Sequence, residues 1–138
     1  MYYIYCLAFQ IIPGITTAIG STIGIPLTHR NYSNNIAFTT GSISYKNKPN
    51  WNLELNKKQT IIMYMYASNI TKLKEKLLKS SFSNKTPIAI ITSSTNKNQK
   101  IIISNIKSIE SLSNNNTTPS ILIIGNIIKL YRDITTFN

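Results

Sequence analysis

A single cysteine, Cys6, rules out an intrachain disulfide and any cysteine-cluster zinc site. That suits a reducing compartment, and a cytoplasmic protein is expected. One histidine, His29, cannot build a histidine-rich metal centre, and no carboxylate stands near it in sequence, so no metal site is expected. Acids are scarce: Glu54, Glu75, Glu110 and Asp133 complete the set. Their separation speaks against paired-carboxylate chemistry. Valine is absent. No unbroken apolar run reaches the about 20 residues of a spanning helix. Met1 to Thr28 is uncharged, but Gln10, Pro13-Gly14, Thr16-Thr17 and Ser21-Thr22 interrupt it. No basic residue precedes its apolar stretch, as a signal peptide requires. Neither membrane insertion nor export is expected. Walker, dinucleotide, G-x-S-x-G and H-E-x-x-H motifs are also missing.

What is present is a chain of 138 residues, 42% hydrophobic, with a mean hydropathy of −0.05. That length fits one domain with a real core. The net charge of +11 comes from fifteen Lys and Arg against four acids. At first sight this suggests nucleic acid, but the composition offers a plainer cause. There are 26 Ile, 17 Asn and 13 Lys, with only two Arg. Ile, Asn and Lys have A/T-rich codons, whereas every Val codon begins with G. Base-composition drift in the gene therefore accounts for most of the charge. The lysines are scattered, no arginine fork is poised to read a base edge, and no aromatic pair is spaced for base stacking. Weak phosphate attraction is expected, specific recognition is not.

Short strand-like and helix-like runs alternate along the chain. Tyr3 to Ile12 reads as a buried strand stopping at Pro13-Gly14, and Thr16 to Gly24 as a helix start with a threonine cap. Ile36 to Thr40 and Thr60 to Met65 read as strands, separated by a polar loop that carries Trp51. Ile70, Leu73 and Leu77 recur at helical spacing, with lysines on the other faces and Ser68 or Asn69 as cap. Pro87 to Thr92, Lys100 to Ile109 and Ile121 to Leu130 read as further strands, the last bent near Gly125. A short helix could begin at Ile109. The alternation argues for an α/β class with an antiparallel part between residues 88 and 130.

The order of several short segments adds a resemblance. Pro13-Gly14-Ile15-Thr16-Thr17-Ala18, followed by Gly24-Ile25-Pro26-Leu27-Thr28-His29-Arg30, resembles the middle of uroporphyrinogen-III C-methyltransferases. Thr39-Thr40-Gly41, Thr60-Ile61-Ile62-Met63-Tyr64-Met65, Thr86-Pro87-Ile88-Ala89-Ile90-Ile91 and Pro119-Ser120-Ile121-Leu122-Ile123-Ile124-Gly125 follow in that family's order. The resemblance covers about residue 10 to residue 131. It implies the C-terminal α/β domain of the tetrapyrrole methylase fold, with a mixed sheet of about five strands flanked by helices. Residues 1–14 would be a remnant of the segment leading in from an N-terminal domain, and 15–138 the C-terminal domain. The activity implied is methyl transfer from S-adenosylmethionine to uroporphyrinogen III, towards precorrin-2.

The family's glycine-rich first loop and its acid/base residues belong to the N-terminal half and have no counterpart here. No catalytic residue is therefore carried over. For the cofactor, Thr16 and Thr17 match the pair after P-G-I, Met65 the methionine ending the Y-M strand, and Ser94 a glycine that approaches the nucleoside. Helix capping for the threonines and strand-end packing for Met65 are the structural alternatives. Tyr66 stands where a glycine normally follows Y-M, and Ser42 where the T-G-H motif has histidine. Expected partners are a tetrapyrrole substrate and either a second copy or a separate N-terminal-half chain. Other readings are a non-catalytic decayed fragment of the enzyme and a basic nucleic-acid-binding module.

Overall fold

The computed structural model describes residues 14–20, 22, 24–42, 56, 58–80, 82–94, 96–114 and 119–131. The expected Tyr3–Ile12 strand, Cys6 and Trp51 lie outside them. The elements are α1 (Thr17–Gly20), β1 (Asn35–Thr40), β2 (Gln59–Tyr64), α2 (Ile70–Lys79), β3 (Pro87–Thr92), β4 (Lys100–Asn105), α3 (Ile109–Asn114) and β5 (Ser120–Ile124). Short 3-10 turns occupy Tyr66–Asn69, Ile106–Ser108 and Asn126–Lys129. The five strands form one mixed sheet in the order β1-β2-β5-β3-β4, as expected. β1 and β2 are parallel, and every other pairing is antiparallel. Consequently β1, β2 and β3 all end on the same edge of the sheet, where β4 and β5 begin.

Period-two alternation in the central strands sends apolar side chains to both faces. Ile61, Met63, Ile88, Ile90, Leu122 and Ile124 join Ile70, Leu73 and Leu77 of α2 and Ile106 and Ile109 on one side. Ile62, Ala89, Ile91, Ile121 and Ile123 meet Ala18, Ile25, Ile127 and Ile128 on the other. Burying each of these large side chains contributes roughly 1.5–3 kcal/mol. On the first face α2 and α3 are joined by an ion pair. Lys74 Nζ lies 2.5 Å from Glu110 Oε2 and also donates to the Lys107 carbonyl at 3.2 Å. That hydrogen bond and charge hold the Glu110 carboxyl below its ordinary value.

β3 runs over Pro87–Thr92 as its sequence predicts, but other elements depart from expectation. The helix expected over Thr16–Gly24 is a single turn. β2 ends one residue early because Met65 adopts a left-handed conformation, φ 47°. β4 stops at Asn105 instead of reaching Ile109, since Ile106 and Ile109 sit three apart and both turn into the core. β5 stops at Ile124 instead of reaching Leu130. There Gly125 takes φ 146°, with the Gln59 carbonyl oxygen 2.9 Å from where a Cβ would be. Asn69 occupies the cap position of α2, yet it makes no capping bond. Its Nδ2 donates instead to the Gly41 carbonyl at 2.6 Å. Among the described residues no helix is long and apolar enough to cross a membrane.

Candidate functional site

The edge where β1, β2 and β3 end carries a cavity of about 370 Å³. Four chain segments build its walls. Thr17 comes from α1; Tyr64, Met65, Tyr66 and Ala67 come from the end of β2; Ile91 and Ser94 come from the end of β3; and Pro119, Ser120 and Ile121 come from the start of β5. Cross-strand register explains the convergence: Tyr64 faces Ile121, and Thr92 faces Ser120.

Thr16 sits just outside. Its Oγ1 accepts the Ala18 backbone N–H at 3.3 Å and shares a hydrogen bond with the Tyr64 hydroxyl. It therefore caps α1 and pins it to the end of β2. Thr17 is left facing the cavity. Of the two threonines, the capping alternative is realised at Thr16 and the wall position at Thr17.

Met65 is 61% exposed, so strand-end packing does not explain its place. Its left-handed backbone turns the chain sharply after β2, and strain at a non-glycine residue concentrates where a backbone is held for a purpose. The turn is braced from below. Gly41 donates its N–H to the Tyr64 carbonyl at 2.7 Å. A Cβ on Gly41 would stand 2.6 Å from Tyr66 Cα and 2.7 Å from the Met65 carbonyl oxygen. Only glycine fits there.

Tyr66 does not crowd the cavity as a glycine replacement could. It is 1% exposed, and its ring belongs to the core on the α2 face. Its φ is not positive, and neither is that of Ser94; the left-handed residue of that loop is Ser93, φ 49°.

The G-I-P-L-T-H-R segment does not line the cavity. It buttresses the second core: Ile25 is buried, Gly24 takes φ 83° against the Tyr131 ring, and the Leu27 carbonyl accepts the buried Thr60 hydroxyl at 2.8 Å. His29 is exposed in a tight turn, bonded through its backbone to Ser33. Among the described residues no group of acids, His or Cys could hold a metal ion.

Chemically the cavity is a binding surface. Flat and flexible apolar walls, with hydroxyls on Thr17 and Ser120, suit a nucleoside and a thioether. Among the described residues no charged side chain lines it. The sequence motifs contained Tyr64, Ile91 and Pro119 to Ile121 without marking them as site residues, and Ala67 lay outside every motif. Their shared signal was position, each being at or just beyond a strand end.

Comparison with known proteins places this arrangement. The model of the Tetrapyrrole (Corrin/Porphyrin) Methylases matches residues 3–110. The chain belongs to this family. It is 38% identical over 135 residues to a siroheme synthase of Baumannia cicadellinicola subsp. Homalodisca coagulata, covering 95% of this chain and 29% of that protein. It is 40% identical over 133 residues to a siroheme synthase of Zymomonas mobilis, covering 94% and 28%. Among solved structures, uroporphyrin-III-C-methyltransferase from Thermus thermophilus aligns with a TM-score of 0.74 at 27% identity, over 91% of this chain and 55% of that one. A structure of that enzyme complexed with S-adenosyl homocysteine, 18% identical, shares the fold with a TM-score of 0.73. This tetrapyrrole methylase chain thus spans under a third of the curated relatives it matches.

Proposed function

We propose that this chain supplies the C-terminal half of an S-adenosylmethionine-dependent uroporphyrinogen-III C-methyltransferase. In this reading it acts together with an N-terminal half that carries the acid/base groups. One observation carries it. Thr17, Met65 and Ser94, far apart in sequence and singled out by separate motifs, line the same cavity. The volume suits part of such a ligand, being near the lower end of the roughly 300–1,000 Å³ of small-molecule sites.

Met65 and Ile91 would take the apolar body of the cofactor, and Thr17 a polar group at its rim. Thr16 would act at one remove, by fixing α1 against Tyr64. The cofactor supplies an electrophilic methyl group, and the chain contributes by holding and desolvating its carrier. Methyl transfer needs donor and acceptor about 3–3.5 Å apart and in line, which two opposed halves achieve and one does not. Residues 15–138 are accordingly taken as one C-terminal domain and 1–14 as the segment leading into it.

The test is calorimetric titration of S-adenosylhomocysteine into the chain co-expressed with the N-terminal half of a siroheme synthase methylase module. Binding is expected for the pair and not for the chain alone. Thr17→Trp, which fills the cavity from an exposed position, should weaken it at least about tenfold, as a lost buried contact does. Unaided tight binding by a monomer, or indifference to Thr17→Trp, would overturn the reading.

A further inference from the structure

A second cavity, of about 500 Å³, opens beside the first. Thr92, Ser93, Lys97, Asn98, Gln99 and Lys100 line it, all from the end of β3, the start of β4 and the loop between them. The loop is built, not slack. Asn96 donates its N–H to the Ser93 carbonyl at 3.2 Å, and Gln99 to the Asn96 carbonyl at 2.9 Å. Ser93 N–H donates to the Pro119 carbonyl at 3.1 Å, and Pro119 is a wall of the first cavity. The two cavities therefore meet along the Ser93–Pro119 bond.

Register gives the spacing. Thr92 pairs with Lys100 on one side and Ser120 on the other. Two strand separations of about 4.8 Å put the Lys100 backbone roughly 10 Å from that of Ser120. Among the described residues the first cavity has no charged wall, and this neighbour has two ammonium groups and no acid. The one ion pair among the described residues joins Lys74 and Glu110, so neither Lys97 nor Lys100 is neutralised there. Both side chains are exposed.

We propose that Lys97 and Lys100 form a carboxylate-binding platform for the acidic side chains of the methyl acceptor, beside the cavity that holds the methyl donor. This rests on the function proposed above, because it takes the acceptor to be a polycarboxylate tetrapyrrole. Exposed ammonium groups with no competing acid suit flexible carboxylates, which they meet as point charges without a fixed fork geometry. The side-chain amide of Asn98 extends the same wall.

A protein of charge +11 attracts any polyanion, so the test must separate position from charge. Uroporphyrin III, a stable oxidised probe, is titrated against the full chain by absorbance at about 0.15 M salt, where the screening length is about 8 Å. The double variant Lys97→Gln/Lys100→Gln is compared with Lys85→Gln/Lys129→Gln. The latter pair lines a polar cavity at the opposite edge and removes the same charge. At roughly two- to fivefold per exposed charge contact, the first variant should lose about tenfold in affinity. The second should lose less than about twofold, since its charges lie beyond the screening length. Lys97→Arg/Lys100→Arg should restore binding.

Equal losses in the two double variants, or no uroporphyrin binding by the wild-type chain, overturn the proposal. Titration of S-adenosylhomocysteine into the reassembled pair carrying Lys97→Gln/Lys100→Gln isolates the cofactor reading. If the cofactor binds and the lysines do not matter, the platform alone is wrong. If the lysines matter and no cofactor binds the wild-type pair, the cofactor reading alone is wrong.

Discussion

Single residues decide the geometry of the cavity more than its chemistry does. Gly41 has no room for a side chain against the Met65–Tyr66 backbone. Gly41→Ala is expected to destabilise the fold by about 1–3 kcal/mol, the usual cost of overpacking, as read by urea denaturation. A change below a few tenths would show that the turn yields freely. Tyr66 teaches a different lesson. Sequence comparison marks it as a lost glycine at a cofactor site, so restoring glycine looks like a repair. The buried ring makes it the opposite: Tyr66→Gly should cost about 3–5 kcal/mol, like other deletions of large core side chains. Ser94→Gly, in a half-buried loop position, should cost much less, and thermal denaturation of the two variants ranks them. Motifs made Thr17, Met65 and Ser94 legible as candidates. They could not show that Met65 takes the left-handed conformation, from which the inward turn of Tyr66 follows.

At the level of elements, helix α2 and strand β3 were legible because one period dominated each. Ile70, Leu73 and Leu77 mark a single helical face, and Pro87 to Thr92 is an uninterrupted apolar run with a proline at its start. The ends of β4 and β5 were not legible, since isoleucine continues through Ile106, Ile109, Ile127 and Ile128 and suits buried turns as well as strands. What stops β5 is a backbone contact between Gly125 and Gln59, which no local pattern records. The α2–α3 pair carries a pH prediction. Glu110 is depressed in the folded state by Lys74, so its contribution is present above the unfolded carboxylate value and fades as pH falls through the folded one. The window therefore lies on the acid side of about pH 4.5. Glu110→Gln should remove part of the acid-induced loss of stability and lower the neutral-pH value by the same small amount, since a half-buried surface pair is still screened by solvent. Melting curves between pH 3 and 7 for both proteins check this, and parallel curves would contradict it.

For the molecule as a whole, the exposed side chains Ile15, Ile19 and Met65 leave apolar surface around α1 and the cavity rim, as a contact face would. Size-exclusion chromatography is expected to show self-association of the chain alone, and a discrete complex once an N-terminal half is supplied. The chain alone should not methylate uroporphyrinogen III above a no-protein control. Its charge, scattered over the surface, should bind duplex DNA weakly, without sequence preference, and release it at moderate salt; affinity for one sequence that survives physiological salt would point back to recognition. The strand order also has a consequence for how the protein is made. β5 is the last strand of the sheet to be synthesised, yet it lies at the centre, between β2 and β3. A nascent chain complete through β4 holds two separate ribbons, β1-β2 and β3-β4, each with apolar faces and an open inner border. The seam closes only when Ser120–Ile124 leaves the ribosome, so the polypeptide spends most of its synthesis with the middle of its sheet missing. Chaperone demand should therefore peak before residue 120 emerges and fall sharply once the central strand is available.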